Sequence, residues 1–168
     1  MVYDFMEKYS IPGISVSIAH KGKLVYARGY GYADKDNYER LEPNYMLRLA
    51  SCSKPFASMC IMRLLDEGKL KLTDRPFALG GVLYEQFPDH KANFEQMTIR
   101  SFLEHTSGIN QAAKFDPMFD NTITKPLSNI ETIKYVVKNF DSNYAPGEKY
   151  QYSNFGYCVL GRVVEAIT

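Results

Sequence analysis

The stretch Leu49-Ala50-Ser51-Cys52-Ser53-Lys54-Pro55-Phe56, running on to Leu64-Leu65-Asp66-Glu67-Gly68-Lys69-Leu70, decides how the rest of the chain is read. From Ser51 to Glu67 the pattern is helical. Phe56, Ala57, Met59, Cys60, Ile61, Met62, Leu64 and Leu65 place apolar side chains almost all round that helix, so it is expected to be buried inside the protein. Gly68 reads as the C′ residue that closes it. Pro55 lacks an N–H and would clash with the carbonyl four residues earlier, that of Ser51. The helix is therefore expected to begin at or just after Ser51, with this serine at the donor-rich N-terminus.

Ser51 and Lys54 are three residues apart, a spacing that puts both on one helix face. A serine hydroxyl is a weak nucleophile until a base takes its proton, and a neutral lysine beside it can do so. Burial disfavours the ammonium form and would help. The spacing alone says little: eleven serines and thirteen lysines in 168 residues make about one such pair by chance. A helix start with a solvated lysine fits the same residues. Tyr152-Ser153-Asn154 is the second candidate, because a phenol can pass protons and an asparagine amide can donate to a substrate carbonyl. Here too a plainer reading is open, in which Asn154 is the N-cap of the last helix.

Around these stretches, residues 2–9 read as a short opening helix stopped by Pro12-Gly13. Ile14, Val16 and Ile18 alternate with Ser15, Ser17 and Ala19, the pattern of a half-buried strand. Lys21-Gly22 supplies a turn into a second strand at Leu24-Val25-Tyr26-Ala27, ended by Gly29-Tyr30-Gly31-Tyr32-Ala33-Asp34. That glycine pair lacks the third glycine and the strand-to-helix setting of a dinucleotide fingerprint. Residues 70–97 read as loop-rich, and Thr98 as the cap of a short helix to Glu104. Ser128 or Asn129 is expected to cap a helix to about Asn139. After Pro146-Gly147 the last helix aligns Tyr157, Leu160, Val163, Val164 and Ile167 in one stripe.

Composition narrows the function classes. Twenty Lys and Arg against nineteen Asp and Glu leave a net charge of +1, so no electrostatic case exists for nucleic acid or an acidic membrane as partner. The apolar runs are too short to span a bilayer, and Met1-Val2-Tyr3-Asp4 shows no signal-peptide pattern, leaving the localisation unknown. Cys52, Cys60 and Cys158, like His20, His90 and His105, are scattered, which argues against a disulfide framework or a structural metal.

The company the two motifs keep is informative. Leu49 to Phe56 with Leu64 to Leu70 closely resembles the first motif of the serine β-lactamase and penicillin-binding-protein superfamily. Ile99-Arg100-Ser101-Phe102-Leu103-Glu104-His105-Thr106-Ser107-Gly108-Ile109 resembles that family's leucine-x-x-histidine-threonine-serine-glycine segment. Pro146-Gly147-Glu148 through Tyr152-Ser153-Asn154 to Leu160-Gly161 resembles its second motif, in the tyrosine-x-asparagine form of class C β-lactamases, related esterases and D-alanyl-D-alanine peptidases. Ile11-Pro12-Gly13 and Gly29 to Asp34 are similar to the opening hairpin.

The resemblance implies an α+β fold of the β-lactamase/transpeptidase type: an antiparallel sheet flanked by helices plus a mainly helical subdomain. Residues 1–50 would be the opening helix and hairpin, 51–68 the nucleophile helix and 69–168 the helical region of one partial domain. Ser51 would be the acylated nucleophile, Lys54 its proton acceptor, Tyr152 the partner acid/base and Asn154 a ligand of the substrate carbonyl. The Ser51 amide would supply half an oxyanion hole. His105 would belong to a structural turn, not a Ser-His-Asp triad, and Cys52 would be a packed small side chain. Neither organic cofactor nor metal is implied.

Family members carry further strands after the second motif, one of them with a lysine- or histidine-x-glycine motif, and nothing after Asn154 matches it. The chain is thus expected to be a fragment, a cleaved piece or a short homologue. A missing C-terminal segment or a second chain would complete the sheet. The expected activity is acyl-serine hydrolysis of an ester, a β-lactam or a D-Ala-type peptide amide, on a small-molecule or peptide substrate; the rival is a non-catalytic binding or assembly module keeping the fold. Substrate-selecting loops are expected partly within residues 110–145.

Overall fold

The computed structural model of the chain describes residues 1–109 and 127–168. It divides into two compact units, Met1–Leu49 and Ala50–Thr168.

In the first unit, helix α1 (Val2–Lys8) precedes strands β1 (Gly13–His20) and β2 (Lys23–Asp34), which pair antiparallel. Lys21 and Gly22 both have positive φ, 50° and 75°, the two-residue turn whose twist suits a hairpin. Ile14 and Val16 are half-buried between exposed serines as expected, whereas Ile18 is exposed, at the point where the register shifts between Ile18 and Ala19. β2 does not end before the Gly29-to-Asp34 tract but runs through it, and a two-residue strand β3 (Glu39–Arg40) pairs with its far end, giving the order β1-β2-β3. So short a strand carries no periodicity to read. Met6 and Leu41 are this unit's buried hydrophobic residues.

The second unit opens with a 3-10 turn, Ala50–Ser53, and continues as α2 (Lys54–Asp66) with Pro55 in its first turn. Gly68 closes α2 at φ 67°: its N–H reaches the Leu65 carbonyl while the Lys69 N–H reaches Leu64, both at 3.0 Å. The burial expected all round α2 is not found. Ile61 and Leu64 are buried, but Phe56, Met59 and Met62 are 60%, 67% and 49% exposed. An apolar helix buries only the side against which something packs, and in this unit α5 (Asn154–Ile167) packs against one side of α2.

Residues 70–97 are turns and one 3-10 helix, Ala92–Gln96. They nonetheless supply Leu70, Phe77, Leu83, Phe87, Phe94 and Met97 to the core, which Ile99 and Phe102 of α3 (Ile99–Leu103) extend. Thr98 caps α3 through the Ser101 N–H, and Ser128, not Asn129, caps α4 (Asn129–Asn139) through the Glu131 N–H. Of the segment expected to select substrate, residues 110–126 lie outside the described residues. On α5 the buried stripe is Phe155, Val159, Leu160 and Val163, turned from the one expected: Tyr157, Val164 and Ile167 are only partly buried.

Candidate active site

Ser51 is the second residue of the 3-10 turn that opens at Ala50, a residue in the left-handed region at φ 47°. In a 3-10 turn the side chains at i and i+3 eclipse, so the tight turn ahead of α2 stacks Lys54 on Ser51 more directly than an α-helix would. The two side chains meet: Lys54 Nζ is 3.2 Å from Ser51 Oγ.

The other half of the site comes from a hundred residues downstream. Tyr152 Oη donates to Ser51 Oγ at 2.7 Å, and Lys54 Nζ donates to Asn154 Oδ1 at 2.6 Å. The Lys54 ammonium sits 4.7 Å from the Tyr152 ring centroid and 5.7 Å from that of Tyr157. All four residues singled out in the sequence therefore converge on one point. Ser51 Oγ accepts two bonds in this arrangement, so its own hydrogen is left to point away from both donors.

Asn154 can face Lys54 because it is not the cap of α5. Ser153 is: its Oγ accepts the Gly156 N–H at 3.0 Å, and Asn154 is the first residue inside the helix. The segment leading to Tyr152 is held on residues 105–108. Gly147 N–H donates to the Thr106 carbonyl at 2.8 Å, Gln151 N–H to the His105 carbonyl at 2.7 Å, and Asn143 N–H to the Gly108 carbonyl at 2.9 Å. Gly108 has φ 82°, and a Cβ there would lie 2.1 Å from the Tyr144 carbonyl oxygen, so this close approach requires glycine. Pro146-Gly147 forms the turn before it, with the Glu148 N–H on the Ala145 carbonyl at 3.0 Å.

His105 does not stand as the base of a Ser-His-Asp set: its Nδ1 accepts the Ser153 N–H at 3.0 Å. Burial, and then the charge of Lys54, hold its imidazole below the usual histidine range. Sequence reasoning passed over Tyr157 as an apolar stripe residue. Its hydroxyl donates to the Leu103 carbonyl at 3.2 Å and lies 3.1 Å from Ser58 Oγ, and its ring helps seat Lys54. The signal was there, since Tyr157 is three residues from Asn154 on one helix.

A cavity of about 370 Å³ opens beside Ser51, Lys54 and Asn154, with Asn129, Tyr157 and Cys158 also in its wall. Burial, with Glu165 adding to it, pushes the Cys158 thiol up to about 11, whereas Cys52 is exposed. A larger cavity of about 570 Å³ elsewhere in the unit, at Leu70, Arg75 and Ile99, is lined by no serine, cysteine, histidine or tyrosine, so size does not pick out the chemistry. Among the described residues no group of His, Cys, Asp and Glu side chains could hold a metal ion, and no helix is long and apolar enough to cross a membrane.

Comparison with known proteins follows the same lines. The family model described as Beta-lactamase matches residues 1–168. Protein flp of Staphylococcus aureus is 29% identical over 167 residues, covering 97% of this chain and 31% of that protein. The octameric penicillin-binding protein homologue from Pyrococcus abyssi superposes with a TM-score of 0.75 at 31% identity, over 99% of this chain and 37% of its own. EstCE1, a hydrolase with promiscuous acyltransferase activity, superposes with a TM-score of 0.76 at 26% identity, over 98% of this chain and 44% of its own. The chain thus spans about a third of the length of the curated relatives it matches.

Proposed function

Because the chain belongs to the beta-lactamase family along its whole length, we propose that it carries the nucleophile-bearing part of a serine hydrolase that works through an acyl-serine intermediate. Its α+β fold is that of β-lactamases and penicillin-binding proteins. The substrate class follows the family: an ester, a β-lactam or a D-Ala-type peptide amide. The observation that carries the reading is Ser51 Oγ held at 3.2 Å from Lys54 Nζ and 2.7 Å from Tyr152 Oη, by side chains from two distant segments.

In the proposed reaction the substrate carbonyl sits over Ser51 in the 370 Å³ cavity, within reach of the Asn154 amide. Lys54 first gives up the proton it carries at rest; Ser51 Oγ then attacks the carbonyl carbon, and its proton passes to the freed amine. The oxyanion that forms meets the Ser51 N–H, which lies in the first helical turn and has no intrahelical acceptor. As the tetrahedral species collapses, Tyr152 gives its proton to the leaving oxygen or nitrogen. Lys54 then gives the proton it took from Ser51 to the Tyr152 phenolate beside it, which restores both groups for the second half of the cycle. Hydrolysis of the acyl-serine repeats the cycle with water as nucleophile, and the proton returns to Ser51 as the acid leaves.

The test is covalent labelling with a fluorophosphonate and with a fluorescent penicillin, read by mass spectrometry of the Ser51 peptide. It is run on the 168-residue chain and on the protein expressed from its complete reading frame. A label on Ser51 that disappears in Ser51→Ala supports the proposal. Absence of label from both proteins with both reagents refutes it in favour of a binding module.

A further inference from the structure

We propose that His105 is the positioning residue of this site, setting Tyr152 on Ser51 by holding the chain on both sides of the tyrosine and stacking on its ring. The inference rests on Tyr152 acting on Ser51, as proposed above, and adds the group that places it.

Four contacts carry the argument. The His105 carbonyl accepts the Gln151 N–H at 2.7 Å, one residue before Tyr152. Its Nδ1 accepts the Ser153 N–H at 3.0 Å, one residue after. Its ring lies 4.6 Å from the Tyr152 ring at an interplanar angle of 31°, and 5.1 Å from the Tyr157 ring at 36°. One residue thus fixes the backbone either side of Tyr152 and the plane of its phenol. The Tyr157 ring on its other contact also faces Lys54. His105 adopts a left-handed backbone conformation, φ 58°, which a non-glycine residue takes only when its surroundings hold it there.

The grip has a chemical condition. Nδ1 accepts a hydrogen bond only while it keeps its lone pair, so the imidazole must be neutral with its hydrogen on Nε2. Protonation would aim a second donor at the Ser153 N–H and push the segment away. The groups facing the imidazole keep it neutral. Lys54 of α2 brings a positive charge, and Tyr150, Tyr152 and Tyr157 bring rings. On its own segment the Glu104 carboxylate is paired with Arg100 at 3.3 Å.

Two measurements test the idea, one without reference to activity. In histidine-selective ¹H–¹⁵N spectra, His105 should be the Nε2–H tautomer at pH 7.5. The Ser153 amide resonance should then move with the same acid midpoint as the His105 ring. A Ser153 amide that ignores the titration overturns the grip. In Ser51 labelling, His105→Ala should be slower than the wild type by about 10–100-fold, the scale of a misplacement near 1 Å. His105→Asn keeps an acceptor where Nδ1 stood, tolerates the left-handed backbone and does not titrate. It should recover most of the rate. Equal labelling by His105→Ala and the wild type overturns the positioning role while leaving the acyl-serine reading intact. So does a folded His105→Asn as slow as His105→Ala. A wild type that never labels instead removes the acyl-serine reading itself, and the positioning role with it.

Discussion

Replacing Ser153 by alanine removes the oxygen that accepts the Gly156 N–H at 3.0 Å, while the Ser153 N–H stays on His105. Loss of an N-cap costs about 0.5–2 kcal/mol. Gly156 is buried, so its N–H cannot turn to water, and the upper part of that range, about 1–2 kcal/mol, applies. That is about 5–30-fold faster hydrogen exchange of the Gly156 amide through local opening, and a thermal midpoint lower by about 2–8 °C in a domain of this size. Asn154→Ala is the counterpart. Alanine suits the first turn of a helix, so Gly156 exchange should stay within about 2-fold of the wild type. Lys54, however, loses its 2.6 Å acceptor, and in the proposed reaction the substrate loses its carbonyl ligand. Acylation of Ser51 should fall by about 10²-fold, the scale of losing one preorganised polar partner. Amide exchange by NMR and Ser51 labelling, on both variants, separate the roles. If Asn154→Ala unprotects Gly156 as much as Ser153→Ala does, the division between cap and ligand is wrong.

Ser51→Ala should abolish labelling while shifting the thermal midpoint by no more than about 2 °C, because Ser51 is exposed; a larger drop would make Ser51 a structural residue. Gly108→Ala must place a Cβ 2.1 Å from the Tyr144 carbonyl at φ 82°, so its urea midpoint should fall by the equivalent of more than about 2 kcal/mol. An unchanged midpoint would contradict the close approach. Cys158 should alkylate about 100-fold more slowly at pH 8 than Cys52 or Cys60, because a thiol near 11 is almost wholly protonated there and the other two are exposed. Its sign in stability is also set. The unfolded thiol ionises near 9 and the folded one near 11, so the unfolded chain loses its proton first and stability falls as pH rises between those values. Urea midpoints across that window should show the fall in the wild type and less of it in Cys158→Ser.

What could be read from the chain was what local physics controls. The Pro55 clash marks the start of α2, Gly68 its end, and Thr98 opens α3 through a side chain that reaches only three residues away, while the sequence narrows the cap of α4 to Ser128 or Asn129 and it is Ser128. The meeting of Ser51 and Lys54 with Tyr152 and Asn154 was not local; it was readable only through resemblance, since spacing within either motif is silent about a partner a hundred residues away. Three features escaped for physical reasons. Phe56, Met59 and Met62 are exposed because apolar character states a preference and not the presence of a cover. Residues 70–97 fill the core from turns, where no period betrays which side chain points inward. Ser153 and Asn154 are equally good caps by type, and only the helix start decides between them.

The two-segment construction of the site has a consequence for when the proposed nucleophile meets its partners. Ser51 and Lys54 leave the ribosome 98–103 residues ahead of Tyr152 and Asn154. At about 5–20 residues per second that is a delay of roughly 5–20 s. During it, the serine has neither the phenol nor the amide beside it. The His105 turn is synthesised between the two, 46–48 residues ahead of the residues 151–153 that it holds. On the proposed reaction, a growing chain carries its nucleophile without its partners until residues 152–154 dock beside it.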